Sequence, residues 1–306
     1  MLFLIFINDI GSICERTKIC LFADDTTIHN SSKNLVDALD SLHLDLTLFS
    51  KWFEENRLVV NWSKTKAMVV NRHEVGLPEN IILGDNKIEF VRKFKLLGVV
   101  VDSRLMFSDH VGAVCKRVNY TSFLFCRNTK FFSFKFKTVL FKLFIFSNFD
   151  YCSSVFSLVS KSEMKRLESC FNRSLRQLLR ISVDRINLSN SVFQLAPLRI
   201  VPLRIRFFQR YSMLVYRVFS RGNVKSILTR VKKCARSLRF PFIQPEFSSK
   251  YGETSFSNVA ARLLNKFIYS FIGRPTSSAS CPSDILFRNL INNNFLFYFE
   301  YFKDIF

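Results

Sequence analysis

The sequence predicts an α+β fold, in which an antiparallel sheet with one helix across its face is followed by a series of helices. Two apolar, β-prone runs within residues 18–30 flank an adjacent pair of carboxylates, a pattern typical of a tight hairpin. Leu and Phe then recur at spacings of three and four over residues 33–56, which predicts an amphipathic helix. The apolar spacing is helical again from Ser108 onward. We therefore expect the sheet within residues 18–102 and mainly helices after it.

Several shorter apolar runs follow the first long helix. Residues 58–60 and 67–70 predict two short strands, and residues 81–90 predict a hairpin that turns at a Gly-Asp-Asn sequence. Residues 94–102 predict one further strand, in which Gly98 would mark a bulge or a close backbone approach.

The helical part carries three apolar stripes. The first is formed by four side chains at helical spacing, Val111, Val114, Val118 and Phe125. A second, more apolar segment covers residues 133–148. Ser160 and Glu163 form a capping box before the third helix. Five residues of that helix are expected to point inward: Met164, Leu167, Phe171, Leu175 and Leu178. A basic, aromatic helix is predicted at about residues 203–219.

The charge of the chain is strongly positive and unevenly distributed. The 306 residues carry a formal net charge of +21. Residues 151–240 hold 19 Lys and Arg against three acids, Glu163, Glu168 and Asp184, which gives this block a net charge of +16. Such a block indicates a polyanionic partner, for which nucleic acid is the usual choice. A membrane surface is the rival partner, and charge that serves only solubility is the third interpretation.

The composition of the chain excludes some other classes of protein. The 36 Phe residues are interpreted as core side chains rather than as platforms for base stacking. Eight Cys without a CxxC pair exclude a zinc ribbon and predict free thiols. Residues 1–7 are apolar but lack the basic start of a signal peptide, and no run of 18 uncharged apolar residues predicts a membrane span. We expect an intracellular protein, in the nucleus or the cytoplasm, with no membrane partner.

Asp24 and Asp25 are the first candidate site. Two adjacent carboxylates repel each other, and a bound cation relieves that repulsion. Carboxylate oxygens suit Mg²⁺ or Mn²⁺, and paired metal ions can clamp the attacking and leaving oxygens of a phosphoryl displacement. The plain alternative is a solvated turn, in which Asp-Asp is common.

The context of this pair resembles the catalytic hairpin of reverse transcriptases from jockey-like non-LTR (LINE) retrotransposons. The resemblance rests on an ordered series of motifs along the chain: Phe22-Ala23-Asp24-Asp25, Trp52, Asn56-Arg57-Leu58, Asn61-Trp62-Ser63-Lys64-Thr65-Lys66, Phe94-Lys95-Leu96-Leu97-Gly98-Val99-Val100-Val101-Asp102, His110-Val111, Phe149-Asp150-Tyr151-Cys152-Ser153 and Arg166-Leu167-Glu168. It implies a partial polymerase palm over residues 1–105, a helical thumb over residues 106–195, and a basic, partly flexible helical region over residues 196–306.

The resemblance also implies roles for individual residues. Asp24 would be the main ligand of the two metal ions, Asp25 would assist it, and Phe22 and Ala23 would lie beside the nucleotide. Leu97 and Gly98 would belong to a primer-grip-like element, and Lys64 or Lys66 would act as an electrostatic helper or proton donor near the leaving group. The thumb would grip an RNA template paired with a DNA primer through five basic residues: Lys165, Arg166, Arg173, Arg176 and Arg180.

Three parts of such a polymerase are not found in this sequence: the third catalytic carboxylate, the fingers and the glycine-rich nucleotide loop. We therefore expect an amino-terminally truncated polymerase that binds magnesium weakly and is inactive on its own. A non-catalytic nucleic-acid-binding remnant, acting through residues 151–240, is the alternative. A misfolding pseudogene product is a third hypothesis.

Overall fold

The computed structural model describes residues 2–71, 76–179 and 200–221. The chain divides into two compact units, Met1–Arg104 and Leu105–Phe306. The first unit mixes small sheets with helices, and the described part of the second is helical, so the α+β class is confirmed.

The first unit contains two helices, a short 3-10 turn and seven strands. In chain order these are α1 (Leu2–Phe6), the 3-10 turn (Asn8–Ser12), β1 (Lys18–Phe22), β2 (Asp25–His29), α2 (Leu35–Glu55), β3 (Lys66–Ala67), β4 (Asn80–Leu83), β5 (Asn86–Phe90), β6 (Lys93–Leu96) and β7 (Val99–Asp102).

These strands form three small sheets, so the expectation of a single antiparallel sheet over residues 18–102 was wrong. β1 pairs with β2, β6 pairs with β7, and β5 lies between β3 and β4. β3 runs parallel to β5, whereas the other pairs are antiparallel. Six of the strands are joined in pairs by two-residue hairpin turns, and such local pairing does not require one continuous sheet.

The predicted strand at residues 58–60 does not form, because its first residue closes helix α2 instead. Arg57 has a φ of +54°, and its N–H donates to the Glu54 carbonyl. The Leu58 N–H donates to the Phe53 carbonyl at 2.8 Å. These two bonds are those of a Schellman motif, in which the residue after the left-handed position also packs back on the helix. Leu58 accordingly lies against the core that Phe49 and Trp52 form with two isoleucines of the chain start, Ile7 and Ile10.

The second correction concerns residues 94–102, which form a hairpin rather than one strand. Leu97 and Gly98 are the two turn residues between β6 and β7, with φ angles of +45° and +84°. Two consecutive positive φ angles characterise a type I′ turn, and Gly adopts them without strain. Gly98 is therefore a turn residue and not a bulge.

In its described residues, 105–179 and 200–221, the second unit contains five helices with two irregular helical segments. They are α3 (Ser108–Asn128), α4 (Phe134–Leu140), a π-helical segment (Phe141–Phe146), α5 (Ser147–Asp150), a 3-10 turn (Ser153–Ser157), α6 (Lys161–Leu179) and α7 (Leu203–Arg221). The predicted second helix at residues 133–148 is thus divided by the π segment.

The core of the second unit contains every side chain of the two predicted stripes on α3 and α6. Phe171 of α6 lies at its centre, with three phenylalanine rings within 6.4 Å, those of Phe141, Phe146 and Phe149. The Ser122 hydroxyl donates to the Ser174 hydroxyl across the α3–α6 contact at 3.0 Å. One half of the predicted capping box is present, since the Glu163 N–H donates to the Ser160 hydroxyl at 3.3 Å.

Helix α7 packs into the same core through Leu203 and Phe207. Its polar face carries three arginines that pair with acids of the unit. Arg204 forms two bonds with Glu168, Arg206 forms two bonds with Asp150, and Arg210 also reaches Asp150 at 2.7 Å. The predicted boundary between residues 195 and 196 lies outside the described residues, as does the chain after residue 221.

The interpretation of phenylalanine as core was correct only in part. Several rings between residues 123 and 144 are exposed, and Phe131 is 98% exposed. Cysteines in the described ranges are free thiols, as expected. Within those ranges no helix has the length and apolar character needed to span a bilayer.

Candidate active site

The Asp24–Asp25 pair lies at the tip of the β1–β2 hairpin. The last paired residues are Phe22 and Asp25, so Ala23 and Asp24 are the two turn residues. Ala23 has a φ of +53° and Asp24 does not have a positive φ, the sign pattern of a type II′ turn. Both acids are exposed, and Phe22 is 65% exposed. The hairpin therefore presents two neighbouring carboxylates to solvent, with Phe22 opposite Asp25 on the same face of the ribbon.

The base of the hairpin is held by helix α2. Ile19 and Ile28 are cross-strand partners and pack against the core of Phe49 and Trp52. The fully buried Asp45 of α2 receives three hydrogen bonds from the two residues before β1. They come from the Arg16 N–H at 3.1 Å, the Thr17 N–H at 2.7 Å and the Thr17 hydroxyl at 2.7 Å. The hairpin consequently starts from a fixed point on the helix.

Sequence reasoning missed Asp45, although its position carried a signal. It falls between Leu42 and Phe49 at spacings of three and four, so the predicted apolar stripe placed an acid on the buried face. Burial alone would raise the pKa of Asp45, but the hydrogen bonds from Thr17 and Arg16 outweigh burial and hold this pKa below its ordinary value of 3.8. The ionised carboxylate is thus the form that the fold stabilises.

We expect Asp45→Ala to lower the free energy of unfolding by about 1–3 kcal/mol, because it leaves the buried N–H and hydroxyl of Thr17 without an acceptor. Since the pKa of Asp45 is lowered on folding, its contribution is present above pH 3.8 and is lost as the pH falls through the folded value. The difference between wild type and variant should therefore shrink in acid. Urea unfolding between neutral and acidic pH measures this difference. Asp40→Ala, on an exposed position of the same helix, is the control, and an equal effect of both variants would contradict the assignment.

The chemistry of the hairpin tip suits a hard cation only in part. Carboxylate oxygens are the ligands that Mg²⁺ prefers, and two of them are adjacent here. In the ranges that the structure describes, however, no group of three or more His, Cys, Asp and Glu side chains is arranged to hold a metal. The pair can supply some of the ligands of a metal ion but does not by itself enclose one.

The other predicted residues of this site lie on separate elements. Lys64 is exposed in the turn before β3, where its N–H donates to the Asn61 side-chain oxygen. The Lys66 ammonium donates to Glu89 at 2.8 Å, across the β3–β5 pair. Leu97 and Gly98 form the tip of the β6–β7 hairpin. The structure thus brings together Phe22, Ala23, Asp24 and Asp25, and it places the remaining candidates in other sheets and turns.

Helix α6 carries the predicted basic residues on the side opposite its buried stripe. Lys165, Arg166 and Arg173 are exposed, and Arg166 lies 3.4 Å from Glu163. Arg173 follows the other two by two helical turns, so the three share one face. Arg176 is partly buried, and Arg180 lies outside the described residues.

Comparison with known proteins finds a family match for the first unit. Residues 1–101 match the family model for reverse transcriptase (RNA-dependent DNA polymerase). This part of the chain is therefore similar to reverse transcriptases. This segment coincides with the first compact unit, Met1–Arg104, and includes both hairpins discussed above.

Two curated relatives extend the comparison. The chain is 25% identical over 168 residues to the RNA-directed DNA polymerase from mobile element jockey of Drosophila melanogaster. It is 24% identical over 169 residues to the probable RNA-directed DNA polymerase from transposon X-element of the same organism. Each match covers 54% of this chain but only 18% of the relative. The resemblance to jockey-like elements is confirmed, and no solved structure matches the chain.

Proposed function

We propose that this chain is part of an RNA-directed DNA polymerase of the jockey-like non-LTR retrotransposon type. The observation that carries the proposal is the hairpin tip with two exposed adjacent carboxylates inside the segment that matches the reverse transcriptase family. The two relatives are named as RNA-directed DNA polymerases, which supports the same activity for the protein to which this chain corresponds. Its substrates would be an RNA template, a DNA primer and deoxynucleoside triphosphates, inside the cell in the nucleus or the cytoplasm.

In this proposal Asp24 and Asp25 hold the divalent cations of the polymerase. When bound, Mg²⁺ or Mn²⁺ would neutralise charge on the attacking and leaving oxygens of phosphoryl transfer. The type II′ turn projects Asp24 beyond the last strand pair, and the Asp45 contacts fix the strand that leads to it. Phe22 would lie against the incoming nucleotide, beside the turn residue Ala23.

Three further residues have proposed supporting roles. Leu97 and Gly98, at the tip of the second hairpin, would contact the primer terminus as a primer-grip-like element. Lys64 is exposed on a turn and would stabilise or protonate the leaving pyrophosphate. Lys66 is less suited to this role because Glu89 already accepts a bond from its ammonium.

The helical unit would act as the thumb. We assign residues 1–105 to a partial palm, residues 106–195 to the thumb and residues 196–306 to a basic carboxy-terminal region. Lys165, Arg166 and Arg173 share the exposed face of α6, which suits contact with phosphates of an RNA–DNA duplex. Arg176, which is partly buried, and Arg180 are proposed as further phosphate contacts.

We predict that the isolated 306-residue chain does not extend a DNA primer on an RNA template. Two-metal phosphoryl transfer requires a ligand set that surrounds both ions, whereas the hairpin supplies two adjacent carboxylates. A gel assay with labelled primer and Mg²⁺ or Mn²⁺ measures extension, with Asp24→Ala as the control. Extension by the wild-type chain that Asp24→Ala abolishes would show that the chain completes the metal site and is active alone.

The alternative is a non-catalytic protein that binds nucleic acid only through residues 151–240. The two functions differ in the response of duplex binding to Mg²⁺ at constant ionic strength. If the hairpin engages the primer end, we expect Mg²⁺ to strengthen binding of wild type but not of Asp24→Asn/Asp25→Asn. A duplex affinity that changes neither with Mg²⁺ nor with the double substitution would favour the non-catalytic alternative.

A further inference from the structure

The corner between α3 and α4, residues 127–139, exposes an unusual number of aromatic rings. Phe131 is 98% exposed, and Phe132, Phe134 and Phe136 are each between 43% and 49% exposed. Rings of this size are normally buried, and a group of them at the surface marks an interaction site. We call residues 127–139 the aromatic corner.

The corner is continuous with an exposed stripe along helix α3. Four exposed side chains recur at spacings of four, three and four: Lys116, Tyr120, Phe123 and Arg127. Such spacing places them on one face of the helix. That face lies opposite the buried valines of the core, so it is directed away from the protein. This face therefore carries both basic and aromatic side chains from the middle of α3 to the corner.

The charge around this surface has a single sign. Residues 110–149 contain no Asp or Glu but seven Lys and Arg: Lys116, Arg117, Arg127, Lys130, Lys135, Lys137 and Lys142. A second copy of the same chain would bring like charges together on this surface. A polyanion is the complementary partner.

The corner is held in place by local hydrogen bonds. The Thr129 hydroxyl donates to the Phe125 carbonyl at 2.6 Å, and the Ser133 side chain accepts a bond from the Phe136 N–H. The rings of Phe132 and Phe136 meet edge to face at 5.0 Å. The exposed rings thus stand on a fixed backbone, which lowers the entropy lost when a ligand binds.

We propose that the aromatic corner binds single-stranded nucleic acid, with unpaired bases stacked on Phe131, Phe132 and Phe136. Lys130 directly precedes Phe131, and Lys135 lies between Phe132 and Phe136 in sequence. Both lysines would contact the phosphates. Flat rings interleaved with positive charge suit single strands, because the bases of a duplex are already stacked on each other and offer no free face. This inference adds to the proposed polymerase function a second surface, separate from the basic face of α6.

Fluorescence anisotropy with the full chain and a labelled oligouridylate of about 16 nucleotides tests the proposal. We expect Phe131→Ala/Phe132→Ala/Phe136→Ala to weaken single-strand binding by at least about tenfold, since stacking contributes about 1–3 kcal/mol per base. The matched variant replaces the same three residues with Leu, which keeps apolar surface but removes the flat rings. It should also bind weakly, while both variants bind RNA–DNA duplex as wild type does.

Other outcomes overturn the proposal. Wild-type affinity of the leucine variant for oligouridylate would show that stacking does not occur at the corner. Phe-dependent binding to vesicles of anionic phospholipid, without Phe-dependent binding to the oligonucleotide, would assign the corner to a membrane surface instead. Phe-dependent self-association alone would assign it to a contact between copies.

The Lys165→Gln/Arg166→Gln/Arg173→Gln variant separates this inference from the proposed function. Suppose that this variant loses duplex binding while the corner variants keep wild-type single-strand binding. That result would support the role of the basic face of α6 and refute the role of the aromatic corner. Suppose instead that single-strand binding depends on the three phenylalanines and that the α6 variant binds duplex as wild type does. That result would refute the role of the basic face of α6 and support the role of the aromatic corner.

Discussion

Raising the salt concentration from 50 to 200 mM is expected to weaken binding of an RNA–DNA duplex to this chain by about a thousandfold, if about six phosphates are neutralised. The expectation follows from the net charge of +16 over residues 151–240 and from the exposed basic face of α6. Affinity should depend little on sequence, because contacts with phosphates position a protein without reading bases. Anisotropy titrations at several salt concentrations give the slope directly.

Three substitutions on α6 locate this effect. Lys165→Gln/Arg166→Gln/Arg173→Gln should weaken duplex binding. It should also reduce the slope of log affinity against log salt concentration by the amount that corresponds to the loss of up to about three phosphate contacts. The control removes the same charge from exposed positions of the first unit, with Lys33→Gln/Lys51→Gln/Lys87→Gln. Arg204, Arg206 and Arg210 are unsuitable for such a test because their pairs with Glu168 and Asp150 join α7 to other helices of the unit. An unchanged slope in the α6 variant would contradict the thumb assignment.

Phe171→Ala is expected to lower the free energy of unfolding by about 3–5 kcal/mol. The ring is 2% exposed and contacts three other phenylalanine rings, so its removal leaves a cavity beside the π segment and α5, which carry those rings. A loss of this size is a large part of the stability of an ordinary domain. Urea unfolding followed by circular dichroism measures it.

Phe131→Ala is the matched control for the core substitution, because it removes the same side chain from a position that is 98% exposed. We expect it to change the free energy of unfolding by no more than about 0.5 kcal/mol. Similar losses in the two variants would mean that residue 171 is not at the centre of the core.

Long periodic patterns were the part of this fold that the sequence predicted well. The stripes on α3 and α6 repeat over about four turns, and every residue predicted to face inward on these two helices is buried. The β1–β2 hairpin was also predictable, because two β-prone runs are interrupted only at the Asp24–Asp25 pair. In each case many residues repeat the same pattern, and the tertiary packing agrees with it.

Short apolar runs were less informative because local contacts decided their structure. Leu58 closes a helix instead of starting a strand, and Leu97–Gly98 turns a hairpin inside what looked like one strand. Composition alone could not separate the buried Phe171 from the exposed Phe131. Asp45 was overlooked because an acid on an apolar stripe acquires meaning only when its hydrogen-bond partners are known.

The central claim is that the hairpin tip formed by Asp24 and Asp25 holds a divalent cation beside a primer. The most direct test adds Mn²⁺ to the isotope-labelled chain bound to RNA–DNA duplex and maps paramagnetic broadening of the amide signals. We predict the strongest broadening at residues 22–27, its loss in Asp24→Asn/Asp25→Asn, and no change in Asp85→Asn at the tip of the β4–β5 hairpin. Broadening spread evenly over exposed acids, or broadening that survives the double substitution, would contradict the claim.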